Sequence, residues 1–134
     1  MSEHPIPAPG SLAWADLTVE DAEGLRDFYA AVAGWKAVPV PMEGYEDWCM
    51  VPDGGEAPVA GICHARGGNA GLPAFWILYA AVPDLEASLE AVRARGGEVL
   101  HGPRDAGAAG RFAVIRDPAG AVFGLFQDLR STSG

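Results

Sequence analysis

The chain has 134 residues, of which 49% are apolar and 20% are charged, and its net charge is −9. A nucleic-acid-binding surface needs clustered basic side chains, whereas this chain has a single lysine, Lys36, and dispersed arginines, so no nucleic-acid partner is expected. No apolar run reaches the roughly 18 residues of a membrane span, and two cysteines are too few for a disulfide framework. We therefore expect a cytoplasmic protein of one structural domain, with no membrane partner.

The first half of the chain predicts a strand, a helix and three further strands. Residues 1–10 are rich in proline and lack the features of a signal peptide, so they are expected to form a disordered arm. The helix opens at Glu20-Asp21 and ends at Gly34, and Pro52-Asp53-Gly54-Gly55 is a hairpin signal. One apolar face of the helix is predicted from Leu25, Phe28, Tyr29 and Val32. The predicted ranges are 11–19 for the first strand, 20–33 for the helix, and 36–40, 45–51 and 57–63 for the other strands.

The second half predicts the same series of elements. Residues 66–73, rich in glycine and asparagine, are expected to link the halves, and residues 129–134 form a tail. The helix begins at Asp84 and stops at Gly96-Gly97. The predicted ranges are 74–82 for the first strand, 84–95 for the helix, and 98–101, 111–115 and 121–126 for the other strands.

The two halves form an internal repeat with a constant offset of 63 residues. Residues 11–64 align with residues 74–127 without a gap, and nine of these 54 positions are identical. The identities fall at strand ends, helix ends and turns, the positions at which residue type decides where an element begins or ends. The identical pairs are Val19 and Val82, Asp21 and Asp84, Glu23 and Glu86, Ala31 and Ala94, Gly34 and Gly97, Gly44 and Gly107, Val51 and Val114, Val59 and Val122, and Gly61 and Gly124. We therefore predict a first copy at residues 11–65 and a second at 74–128.

A repeated βαβββ unit resembles the vicinal oxygen chelate superfamily of glyoxalases, bleomycin-resistance proteins and extradiol dioxygenases. The local marks are Val19-Glu20-Asp21 before Phe28-Tyr29 and Gly34-Trp35, and the run from Arg111 to Gly120 before the last strand. The resemblance implies an α+β fold in which two tandem βαβββ modules form a curved mixed-sheet cleft. It also implies a homodimer, because chains of this family often pair to complete their clefts.

Metal-dependent members of this family place metal ligands on the first and last strands of each copy. Matched onto this sequence, those positions are Trp14 and Ile77 on the first strands, and Gly61 and Gly124 on the last strands. None of these side chains binds a divalent ion, so we expect neither a metal nor another cofactor. The two glycines leave space that is either a ligand cup or is filled by neighbouring side chains such as Trp14.

The side chains that face this space follow from strand alternation. Asp16 and Thr18 share the face of Trp14, and Phe75 and Tyr79 share the face of Ile77. Cys63 and Phe126 lie beside the glycines. If the hairpin loops have an even number of residues, Trp48, Met50, Arg111 and Ala113 also face inward; an odd loop presents Cys49 instead. The predicted ligand-binding residues are therefore Trp14, Asp16, Trp48, Met50, Cys63, Phe75, Tyr79, Arg111 and Phe126.

Several of these residues have alternative roles. Asp16 could pair with a cationic ligand, accept a proton, or be a satisfied rim carboxylate. Arg111 could bind an anion or pair with Asp16, and Cys63 could be a nucleophile or an inert buried thiol. His64 and His101 are interpreted as solvated histidines at strand ends.

Three functions are compatible with the sequence. The favoured one is a metal-free protein that binds a small aromatic or amphipathic molecule, as drug-sequestering resistance proteins of the family do. The alternative is an enzyme of lyase, isomerase or dioxygenase type, with a relocated metal site that uses Asp16 or His64, or with metal-free acid and base residues. The third is a structural or regulatory partner module.

Overall fold

The computed structural model describes residues 7–66, 70–105 and 110–129, and these contain every predicted strand and helix. Residues 1–6 of the predicted arm, 67–69 of the predicted linker and 130–134 of the predicted tail lie outside them. The elements are β1 (Leu12–Val19), α1 (Ala22–Ala33), β2 (Trp35–Pro41), β3 (Glu46–Pro52), β4 (Ala60–His64), β5 (Ile77–Ala81), α2 (Leu85–Ala94), β6 (Glu98–Asp105), β7 (Gly110–Arg116) and β8 (Val122–Asp128). They belong to two compact units, one of residues 14–76 and one of the described residues up to 13 and from 77 onward.

The unit of residues 14–76 contains a mixed sheet with the strand order β2-β3-β4-β1. Strands β1 and β4 are parallel, with Asp16 opposite Gly61, and the two other pairs are antiparallel. Helix α1 covers one face of this sheet. The buried core on that face consists of Ala22, Trp48, Met50, Ala60 and Ile62.

The second unit repeats this arrangement with the strand order β5-β8-β7-β6. Strands β5 and β8 are parallel, with Tyr79 opposite Gly124. This pair lies 63 residues beyond the pair of Asp16 and Gly61, so the offset read from the sequence is confirmed by strand register. The core beneath α2 consists of Leu85, Leu89, Ala113, Ile115 and Leu125.

Both helices begin at the aspartate that the sequence indicated. The carboxylate of Asp21 accepts a hydrogen bond from the backbone N–H of Gly24 at 3.1 Å, and Asp84 accepts one from Ala87 at 3.1 Å. Such caps satisfy N–H groups that lack a partner within the helix. Helix α1 ends at Gly34, whose φ of +73° is left-handed and favours glycine.

The predicted apolar face of α1 is only partly correct. Leu25 and Tyr29 pack against the core, whereas Phe28 and Val32 are 53% and 65% exposed. Leu25 and Tyr29 are four residues apart and form one stripe along the helix, while Phe28 and Val32 form the neighbouring stripe, which turns away from the sheet.

Strand β6 is longer and less regular than predicted. It extends to Asp105, and its pairing with β7 shifts register on both sides of His101. Its counterpart β2 pairs with β3 without a shift. Gly102 fits the irregular segment because it has a φ of +90°, and a Cβ there would lie 2.8 Å from the carbonyl oxygen of Phe112.

Candidate functional site

The register of β3 and β4 decides which side chains share a face with Gly61. Cys49 lies opposite Gly61, and Trp48 lies opposite Ile62. The pairing of Met50 with Ala60 leaves an odd number of residues between them, so the odd-loop alternative is correct. The expectation that Trp48 and Met50 share the face of Gly61 was therefore wrong, because both lie in the core beneath α1.

The same parity holds in the second unit. Val114 lies opposite Gly124, which places Arg111 and Ala113 on the face covered by α2. Arg111 forms an ion pair with Glu86, with 3.1 Å between Nη2 and Oε2. The expectation that Arg111 shares the face of Gly124 was therefore wrong.

The indole ring of Trp14 occupies the space beside Gly61. A Cβ at Gly61 would lie 3.3 Å from Cζ2 of Trp14, 3.5 Å from its Nε1 and 3.4 Å from Cβ of Asp16. These contacts agree with the alternative in which Trp14 fills the space left by the glycine. Trp14 and Asp16 are both half-buried, so an aromatic ring and a carboxylate lie side by side and remain partly accessible.

The thiols on this face are not activated as nucleophiles. Burial raises the pKa of Cys63 far above its ordinary value, and the nearby carboxylates of Asp16 and Asp47 raise it further. Burial also raises the pKa of Cys49. Because the thiolate is the nucleophile, the inert interpretation of Cys63 fits the structure. The carboxylates that disfavour a thiolate here would favour a cation.

Aromatic rings fill the equivalent face of the second unit. The ring of Tyr79 lies directly against Gly124, and its centroid is 6.1 Å from that of Phe112. Phe126 lies two residues beyond Gly124 on β8, so alternation places it on the same face. Its partner across the strand pair is Phe112, which is likewise two residues from Val114, the partner of Gly124. Phe75 was predicted to share the face by alternation, but it precedes β5 and is exposed, so alternation does not apply to it.

His101 is not the solvated strand-end residue that the sequence suggested. It lies within β6, with its ring centroid 5.8 Å from that of Phe112. Burial lowers the pKa of His101, and the positive charge of Arg104 lowers it further, which favours the neutral imidazole. Its Nε2 is buried and has no hydrogen-bond partner among the described residues.

A contact between Asp47 and His64 was missed in the sequence. Oδ1 of Asp47 accepts a hydrogen bond from the backbone N–H of His64 at 2.9 Å and lies 3.1 Å from Nδ1 of the same residue. The imidazole contacts the rings of Tyr45 and Trp48, at centroid distances of 5.3 and 5.4 Å. A signal existed, since Asp47 is a charged residue beside the apolar run Trp48-Cys49-Met50-Val51 in a predicted strand.

The resemblance matches the family's metal-ligand positions to four residues of this chain, one on the first strand and one on the last strand of each copy. Trp14 and Gly61, and likewise Ile77 and Gly124, offer no imidazole or carboxylate donor. Within residues 7–66, 70–105 and 110–129, no three His, Cys, Asp or Glu side chains are grouped closely enough to hold one. The helices of these residues are also too short or too polar to cross a bilayer.

The fold defines a class of protein built from two βαβββ units, each with one helix over a mixed sheet. The model of the Glyoxalase/Bleomycin resistance protein/Dioxygenase superfamily matches residues 11–125, and the chain belongs to this family. The resemblance inferred from the sequence is thereby confirmed.

Two curated relatives show detectable sequence identity over most of the chain. The anthracycline biosynthesis protein DnrV of Streptomyces peucetius is 35% identical over 131 residues, which cover 90% of this chain and 48% of the relative. The putative glyoxylase CFP32 of Mycobacterium tuberculosis is 35% identical over 119 residues, covering 88% of this chain and 46% of the relative. The chain thus spans about half the length of the curated relatives it matches.

A solved structure with the same fold is a variant methylmalonyl-CoA epimerase of Streptomyces coelicolor in complex with 2-nitronate-propionyl-CoA. Its TM-score is 0.58 at 16% identity, and the match covers 90% of this chain and 99% of the epimerase. At this identity the similarity establishes the α+β glyoxalase-like fold and nothing about substrate.

Proposed function

We propose that this protein binds a small planar aromatic molecule that carries a positive charge, and that it does so without a metal ion. The observation that carries the proposal is the indole of Trp14 held against Gly61 beside the carboxylate of Asp16. An aromatic face attracts both another ring and a cation, and a neighbouring carboxylate adds ion pairing. The role would be sequestration of an aromatic compound.

Two further observations support a cationic ligand over an anionic one. Besides burial, the nearby carboxylates of Asp16 and Asp47 raise the pKa of the Cys63 thiol, and two carboxylates near one face favour a cation there. The only arginine predicted for the ligand site, Arg111, lies on the helix-covered face of the other unit and is paired with Glu86. Cys63 is a proposed neutral contact, and Tyr79 and Phe126 remain proposed contacts on the equivalent face of the second unit.

The names of the curated relatives support an aromatic ligand and are also compatible with an enzymatic role. DnrV is named for the biosynthesis of anthracyclines, which are polycyclic aromatic compounds, and CFP32 is named a putative glyoxylase. An enzyme of lyase, isomerase or dioxygenase type is therefore the second candidate function.

The proposal predicts a charge preference that depends on Asp16. We expect 9-aminoacridine, a planar cation, to quench tryptophan fluorescence and to bind more tightly than the anion anthracene-9-carboxylate. Trp14→Ala should weaken 9-aminoacridine roughly tenfold, which corresponds to about 1.4 kcal/mol of lost ring contact. Asp16→Asn should weaken 9-aminoacridine several-fold while leaving neutral anthracene-9-methanol unaffected. Calorimetric titration of the wild type and both variants measures these affinities.

A matched control for the tryptophan substitution is Trp76→Phe. Trp76 is also half-buried, but its Nε1 donates a hydrogen bond to the hydroxyl of Tyr29 at 3.1 Å, and it packs against the core beneath α1. This variant should bind 9-aminoacridine as the wild type does. Tighter binding of anthracene-9-carboxylate, with no effect of Asp16→Asn, would show that the charge assignment is wrong.

The proposal includes a metal-free homodimer in the cytoplasm. Elemental analysis of protein purified without chelator should find no stoichiometric Zn, Fe, Mn or Ni, because the family ligand positions hold no donors. Light scattering on the same preparation should give twice the mass of one chain. About one metal ion per chain, lost on mutation of Asp16 or His64, would favour the enzymatic alternative with a relocated site. A mass of one chain throughout the micromolar range would contradict the dimer.

A further inference from the structure

The contact between Asp47 and His64 has the geometry of an oriented imidazole. Oδ1 of Asp47 lies 3.1 Å from Nδ1 of His64, and the side chains are only 7% and 14% exposed. An ionised carboxylate only accepts hydrogen bonds, so it selects the tautomer with the proton on Nδ1. The lone pair of the neutral imidazole is then on Nε2.

Two aromatic rings contact the imidazole of His64. Tyr45 stands edge-on to the imidazole with an interplanar angle of 79°, and Trp48 is tilted at 44°. No hydrogen bond to Nε2 of His64 is formed by the described residues. Asp47 also neighbours Cys63, and burial together with the carboxylates of Asp16 and Asp47 raises the pKa of that thiol. Among the described residues, no hydrogen bond to Nε2 of His64 would therefore have to break before a substrate could bind there.

Two guanidinium groups lie over the rings that contact His64. Arg66 stacks over Tyr45 at 4.2 Å from the ring centroid, and Arg26 stacks over Trp48 at 4.7 Å. Arg26 also forms an ion pair with Asp27. The carboxylates of Asp27, Glu23 and Glu46 also act on Arg26 and raise its pKa, so this cation is offset by neighbouring acids.

Comparison of the two copies shows that the fold does not require this contact. The positions 63 residues beyond Asp47 and His64 are Gly110 and Gln127, yet β7 and β8 pair along their whole length. Gln127 has a different contact: its Oε1 accepts a hydrogen bond from the backbone N–H of Leu85, the first residue of α2, at 2.8 Å. The carboxylate–imidazole pair is thus confined to the first copy, although both copies form the same strands.

We propose that Asp47 and His64 form a general acid–base dyad that acts on a carbon or oxygen acid with an anionic conjugate base. His64 is the catalytic residue, and Asp47 is the positioning residue. Nε2 takes the proton, the electron pair of the broken bond moves into the substrate as an enolate or phenolate, and Asp47 offsets the charge of the imidazolium. Return of the proton to a neighbouring atom, or to the opposite face of the same carbon, completes an isomerisation without any co-reactant. This inference does not depend on binding of an aromatic cation at Trp14.

The test uses 5-nitrobenzisoxazole, a planar probe of general bases. A base removes its C3 proton, the electron pair forms a nitrile, and the N–O bond breaks to release a coloured phenolate. We expect the wild type to accelerate this reaction at least about tenfold more than His64→Gln, because a positioned general base contributes about 10²–10⁴-fold to its own reaction. His101→Gln, which removes a histidine in the other unit, should behave as the wild type.

The His64→Gln variant keeps the backbone hydrogen bond to Asp47, so it should fold. Asp47→Asn should lower the rate and change its pH profile; because this variant could also fail to fold, nitrogen NMR of the wild type provides a second measurement. A proton on Nδ1 and a bare Nε2 at His64 are expected. Equal rates in wild type and His64→Gln, or a His64 imidazole with its proton on Nε2, would overturn the dyad. Neither result would affect the binding measurements on Trp14 and Asp16.

Discussion

Gly124→Ala should lower the free energy of unfolding by about 2–3 kcal/mol, a cost typical of overpacking in a rigid interior. A Cβ at this position would overlap the ring of Tyr79, including its Cγ, which is fixed close to the backbone. The ring cannot move aside easily, since Tyr79 is only 3% exposed and its neighbour Phe112 lies beside it. Urea denaturation followed by circular dichroism measures the effect.

The repeat supplies a matched control for this substitution. Gly61 is the equivalent residue of the first copy, but a Cβ there would meet Trp14 and Asp16 at 3.3 Å or more. A shift of a few tenths of an ångström relieves such contacts, so Gly61→Ala should cost less than about 1 kcal/mol. Equal losses from the two substitutions would mean that the rings of Tyr79 and Trp14 do not pack on the glycines as the structure shows.

Met50→Ala should lower the free energy of unfolding by about 2–5 kcal/mol, the range for removal of a large buried apolar side chain. Met50 is 0% exposed and packs in the core with Trp48, Ala60 and Ile62. Deletion of its side chain leaves a cavity that the rigid β-sheet cannot close. Because Met50 faces α1, the fraction of protein that remains folded should bind 9-aminoacridine as tightly as the wild type.

Met42→Ala is the control for the loss of a methionine side chain. Met42 is 41% exposed, and its truncation should change stability by less than about 0.5 kcal/mol. Denaturant titrations of both variants, with ligand affinity measured in parallel, separate a core role from a binding role. Weaker ligand binding by Met50→Ala with unchanged stability would restore the original assignment of Met50 to the ligand site.

The elements and their repeat could be predicted because their signals are local. Asp21 and Asp84 mark the helix starts, and Gly34 marks the end of α1. The inward-facing residues could not be predicted with the same certainty, because a single residue more or less in a hairpin reverses every side chain of the strand. Cys49 and Trp48 therefore exchanged faces relative to the even-loop alternative, while Trp14 and Asp16, which depend only on the alternation within β1, were placed as expected beside Gly61.

Two other features depend on contacts that no local pattern encodes. Asp47 and His64 are 17 residues apart, and only the register of two strands brings them together. The irregular course of β6 around His101 departs from the repeat, since the equivalent strand β2 is regular. Both features are differences between the copies, whereas an alignment of the halves emphasises what the copies share.

The boundary between the compact units has a consequence for dissection of the protein into fragments. It falls after residue 13, within β1, and the backbone of Ala81 is hydrogen-bonded to Gly10 and Ser11 at 2.7 and 2.9 Å. A fragment cut in the predicted linker and beginning at residue 74 would leave the N–H and C=O of Ala81 at the open edge of a strand. Such edges promote association between chains. Expression of the two repeats as separate genes should therefore yield an aggregation-prone second half, whereas a peptide of residues 7–13 added in trans offers the missing backbone partners.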